Sequence, residues 1–123
     1  MSYIYKRPQL INSPKGKVDV VKILFDGDTD PAYSLAIIKW EGVLKLGIRW
    51  NIAEGEWEDA KKQQGMAECI GNPQSRGHST WFVLPDNPQF YDLINEGGKE
   101  LKKNKRYRIL SIITYKCKNL TNI

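Results

Sequence analysis

The sequence predicts an α+β protein: an antiparallel β-sheet of about four to five strands with one main helix packed on one face. Three observations point there. Consecutive β-forming runs in the first half are joined by short turns, which makes antiparallel neighbours. A helical stretch with its own start signal opens near Pro88. Between them a hairpin resolves into one apolar face and one mixed face.

Residues 1–16 read as a flexible lead-in punctuated by Pro8, Pro14 and Gly16, followed by a single domain over residues 17–118. The run 17–25, with Val18, Val20, Val21, Ile23, Leu24 and Phe25, is the first strand. Asp26-Gly27-Asp28-Thr29-Asp30-Pro31 is a turn. It is no EF-hand loop, because Pro31 stands where that loop needs its glycine and Ile37 where it needs its closing glutamate.

Residues 33–40 and 43–51 are the second and third strands, joined by Glu41-Gly42. A two-residue turn sets the register. Trp40 falls opposite Val43, Ile38 opposite Lys45, Ala36 opposite Gly47 and Ser34 opposite Arg49 on one face. The other face carries Leu35, Ile37, Leu44, Leu46, Ile48 and Trp50. At about 25 cal/mol per Å² of apolar area, this second face is expected to be the buried one. Trp40, Lys45 and Arg49, beside the bare Gly47, are expected on an open face.

Residues 52–79 form an excursion, with a short helix over 54–64 and a loop marked by Gly71-Asn72-Pro73 and Arg76-Gly77. A fourth strand, 80–84, stops at Pro85. Asp86-Asn87-Pro88 then caps the main helix, whose Phe90, Leu93, Ile94, Gly97 and Leu101 share a stripe. A last strand is expected over 107–116, rich in isoleucine and tyrosine.

Of the 123 residues, 41% are hydrophobic, enough for a core without disulfide or metal staples. Cys69 and Cys117 lack metal or redox spacing and read as free thiols. No membrane span, signal peptide, phosphate-binding loop or dinucleotide fingerprint is legible, so a cytoplasmic protein without cofactor or metal is expected. The net charge is +5 and unevenly placed: residues 99–118 carry eight cations against Glu100 alone. Such a segment attracts polyanions.

The segments Trp40-Glu41-Gly42 and Ile48-Arg49-Trp50, with Thr80-Trp81-Phe82-Val83-Leu84 and the helix after it, resemble the transcriptional coactivator PC4-like domains over residues 18–51 and 80–103. The resemblance implies a homodimer that binds single-stranded DNA on its sheet with little sequence preference. The excursion is longer, the hairpin turn shorter and the strand after the helix additional to that family's pattern.

The residues and the resemblance together predict a single-stranded DNA- or RNA-binding protein, an accessory in transcription or DNA maintenance, rather than an enzyme. Trp40 would stack a base. Lys45, Arg49 and Arg76 would meet phosphates, and Lys102, Lys103, Lys105 and Arg106 would supply long-range attraction. Arg76-Gly77-His78-Ser79 is also a segment able to hold a phosphate. Two other readings stay open. One is a protein–protein adaptor using the open sheet face. The other is a small enzyme built around Glu68, Arg76 and His78.

Overall fold

The structure is a computed structural model that describes residues 2–121, with side chains through residue 104. The chain divides into two compact units after Pro85.

The first unit is built on a four-stranded antiparallel sheet in the order β1 (Val18–Asp26), β2 (Tyr33–Trp40), β3 (Val43–Trp50), β6 (Phe82–Leu84). The predicted α+β class and antiparallel sheet are therefore present. Two bulges in edge strand β1, at Val20/Lys22 and Ile23/Phe25, bend it. Glu41 and Gly42 both adopt left-handed backbone, φ 52° and 83°. That is the turn whose twist suits a two-residue hairpin. Every cross-strand pair from Tyr33↔Trp50 to Trp40↔Val43 matches the register read from the sequence.

The faces of that hairpin are the reverse of the expectation. Ser34, Ala36 and Ile38 on β2, with Gly47 and Arg49 on β3, are buried, whereas Trp50 is 55% exposed. Ile11, Val18, Ala36, Ile38 and Trp81 form the core, with Val20, Ile23, Trp40 and Val83 packed around them. Gly47 is the floor beneath Trp81: a Cβ there would lie 3.2 Å from the indole and 3.1 Å from Ile38. Burying an indole removes on the order of 150–250 Å² from water and stabilises by roughly 4 kcal/mol. The indole N–H donates to the Ile11 carbonyl at 2.9 Å, so its one polar atom is satisfied.

Residues 2–16, expected to lead into the fold, are part of it. Tyr5 bridges in parallel to Cys69, and the Tyr5 hydroxyl donates to both carboxylate oxygens of Asp26, at 2.9 and 3.0 Å. Pro8 and Ile11 are buried. This strap covers the face on which Ile38 and Ala36 lie, which is why that face became the interior.

The excursion is compact. It contains a 3-10 turn (Glu54–Glu56) and α1 (Ala60–Gln63), where one helix over 54–64 was expected. The Asp59 side chain caps α1 by accepting from the Lys61 and Lys62 N–H groups. The hairpin of β4 (Gln74–Ser75) and β5 (His78–Ser79) turns through Arg76-Gly77, both with positive φ.

The second unit is α2 (Pro88–Thr121). It starts where the sequence placed it: Asn87 Oδ1 accepts the Phe90 N–H at 2.8 Å, and Pro88 takes the first position. The strand expected over 107–116 is not formed, because the backbone continues the helix. After Gly98 no glycine or proline interrupts the sequence.

Candidate nucleic-acid interface

The outward face of the sheet carries Phe25, Leu35, Ile37, Leu44, Leu46, Ile48, Trp50, Phe82 and Leu84. Phe25, Leu44, Trp50 and Phe82 on it are exposed. At one end an aromatic row crosses three strands. Phe25 lies 4.9 Å from Tyr33, and Tyr33 meets Trp50 edge-on at 6.2 Å and 81°. Phe82, 59% exposed, stands on β6 opposite Ile48. Tyr33, Ile48, Trp50 and Phe82 line an open concavity of about 700 Å³, together with Asn72, Pro73 and Gln74 from the excursion.

The excursion is held against the sheet end by backbone and by a buried cation. The Trp50 N–H donates to the Asn72 carbonyl at 2.7 Å, and the Asn72 N–H returns to Trp50 at 3.0 Å. Arg49, 2% exposed, donates to the carbonyls of Ile70 and Thr80 and reaches that of Pro73 at 3.4 Å. Its guanidinium lies 6.0 Å from the Trp81 ring. Burial lowers Arg49 to about 10, with the Glu56 charge acting the other way, so it stays cationic at neutral pH. At the same sheet end the Ser34 hydroxyl donates to Asn51 Oδ1 at 2.7 Å, and Asn51 Nδ2 donates to the Asp28 carbonyl at 2.9 Å.

Each predicted site residue can now be placed. Trp40, Lys45 and Arg49 do share one face, but it is the covered one. Trp40 is half-buried against the core, Lys45 is half-buried opposite Ile38, and Arg49 is enclosed by the 70–80 backbone. Arg49 is corrected from a surface cation to an internal one, because the carbonyls of the excursion surround it. Arg76 is exposed at the β4–β5 turn. Lys102 and Lys103 lie exposed on α2, with Lys103 Nζ 4.0 Å from Glu100. The side chains of Lys105 and Arg106 lie outside the described residues.

The structure brings together residues the sequence reading left out: Tyr33, Trp50 and Phe82, with the amides of Asn72 and Gln74. Trp50 had been assigned to the core for its place on the more apolar face. The signal that could have found it is the density of rings, with Phe25, Tyr33 and Trp50 at one end of three adjacent strands. Among the described residues no group of side chains could hold a metal ion, and no helix is long and apolar enough to cross a membrane.

Compared with protein-family models, curated proteins and solved structures, the chain finds no match.

Proposed function

We propose that this protein binds single-stranded nucleic acid, with little sequence preference, on the outward face of its sheet. The observation that carries the reading is the aromatic row around the open concavity. Bases stack on Trp50, Phe82 and Tyr33, each stacked base contributing about 1–3 kcal/mol. The amides of Asn72 and Gln74 offer donors and acceptors to base edges. Lys22 and Lys39 lie on this same face, opposite Ile37 and Leu44, and meet phosphates. The cationic run at 99–118 draws the polyanion in. The PC4-like resemblance adds a homodimer in a compartment that holds nucleic acid, the cytoplasm in the sequence reading.

The apolar cluster of Leu44, Leu46 and Leu84 on the same face, flanked by Asp19, Lys22 and Lys39, favours the adaptor reading, in which a protein partner covers it.

Fluorescence anisotropy with a labelled oligothymidylate of about twenty nucleotides, at about 50 mM salt, tests the proposal. Binding that weakens steeply with added salt is expected. Trp50→Ala and Phe82→Ala should each reduce affinity by about tenfold or more while thermal stability changes little. No binding at low salt, or binding indifferent to both substitutions, rejects this reading; the second result returns the site to another surface.

A further inference from the structure

The strap and the β4–β5 hairpin border a second open concavity, of about 570 Å³, lined by Lys6, Leu10, Asn12, Ser13, Lys15 and His78. We propose that it is a phosphate-binding site, independent of the aromatic row. Its lining holds two lysines and a histidine and no carboxylate. Among the described residues neither Lys6 nor Lys15 forms an ion pair.

Its donors are carried on anchored backbone. The Lys6 N–H donates to the Cys69 carbonyl at 3.2 Å, and Lys6 is half-buried. Asn12 Oδ1 accepts the Val20 N–H at 3.2 Å, which leaves the amide NH2 to donate outward. The Ser13 carbonyl accepts the Thr80 hydroxyl at 2.7 Å, tying this part of the strap to the segment just before β6. Two ammonium groups, an amide NH2, a hydroxyl and an imidazole N–H form a set of donors suited to an anionic tetrahedral oxygen cluster.

The two concavities lie on opposite faces of one ribbon. Gln74 pairs with Ser79, and Ser75 with His78. Successive residues of a strand point to opposite sides, so Gln74 faces the aromatic concavity and His78 the cationic one. The phosphate could therefore belong to a strand passing the hairpin or to a free phosphate-bearing molecule, and the two sources separate in the test.

The experiment follows the His78 ring and Asn12 side-chain signals by NMR in the full chain, titrated first with pyrophosphate and then with oligothymidylate. Saturable shifts with pyrophosphate alone assign the site to small phosphates. Shifts with oligothymidylate, with or without pyrophosphate, assign it to the strand. Lys6→Gln with Lys15→Gln should abolish the shifts. If the strand is the source, that pair should also flatten the salt dependence of oligonucleotide affinity by about one logarithmic unit per decade of salt. His78→Gln, at an exposed position of β5, serves as the second variant should the double substitution fail to fold, and should weaken pyrophosphate or oligonucleotide binding severalfold. Absence of shifts with both probes, or shifts that survive these substitutions, overturns the proposal. Because pyrophosphate has no base to stack, the outcome with that probe is separate from the fate of the aromatic interface.

Discussion

Arg49 and Glu56 hold one residue, Ile70, from its two sides: the guanidinium donates to the Ile70 carbonyl, and Glu56 Oε2 accepts the Ile70 N–H at 2.8 Å. Glu56 also accepts from the Gly71 and Ala53 N–H groups at 2.8 Å and pairs with Lys62 Nζ at 2.5 Å. Two opposite charges thus fix the excursion, one through its carbonyls and one through its N–H groups. The wall of the aromatic concavity stands on this clamp, since Asn72 and Pro73 follow directly.

Replacing Arg49 by Met should destabilise the protein by about 2 kcal/mol. The Ile70 carbonyl keeps the Ser79 hydroxyl and the Pro73 carbonyl keeps the Thr80 N–H, so the loss falls mainly on the Thr80 carbonyl. The offsetting gain is the removal of a buried charge whose Nε has no partner among the described residues. Urea unfolding midpoints measure the change. A midpoint equal to that of the parent protein would show that the guanidinium does not hold the excursion.

Gly71→Ala and Gly77→Ala form a matched pair. Both glycines have positive φ, 70° and 79°. A Cβ at Gly77 meets open space, whereas at Gly71 it runs into the Trp50 carbonyl and the Arg49 guanidinium. Gly77→Ala should cost about 1 kcal/mol, the usual penalty for a left-handed alanine. Gly71→Ala adds a backbone collision and should cost at least about 2 kcal/mol more. Thermal unfolding of the two variants side by side decides it; equal losses would contradict the close approach of backbone at residue 71.

Glu56 should give the protein an acid-sensitive component of stability. Burial alone raises its carboxyl, but the Lys62 ammonium and the N–H groups of Ala53, Ile70 and Gly71 outweigh burial and hold it below its ordinary 4.5. A carboxyl lowered in the folded state binds its proton more readily in the unfolded chain. Its stabilisation is therefore full above the ordinary value and is lost as pH falls through the folded one. Unfolding midpoints from about pH 6 down to about pH 3 should fall less steeply in Glu56→Gln than in the parent protein. Parallel curves would remove Glu56 as the source.

The hairpin was legible in detail because two adjacent residues, Glu41 and Gly42, set its turn and the turn sets its register. Which face lies inside was not. Both faces carry apolar residues, Ala36 and Ile38 on one, Leu35, Ile37, Leu46 and Ile48 on the other, and counting them favours the wrong one. The choice is made by what comes to cover the sheet, namely Ile11 and Trp81 from distant parts of the chain. Arg49 misled for the same reason: a cation in a strand reads as surface unless the carbonyls that enclose it, at Ile70, Pro73 and Thr80, can be foreseen. The helix start at Asn87-Pro88 was legible from local chemistry. The end of α2 was not, because isoleucine and tyrosine in 107–116 outweighed the absence of any helix-breaking residue there.

The hydrogen bond from Trp81 to Ile11 joins residues 70 apart, and that separation orders the assembly of the first unit. The β2–β3 hairpin closes through a two-residue turn and can form by itself within microseconds. The interior between strap and sheet cannot exist until Trp81 has been synthesised, and bringing its two sides together carries the entropy of a long loop before any burial rewards it. Until then Ala36 and Ile38 have no indole to pack against. The centre of this unit is made by the meeting of its earliest residues with nearly its final ones.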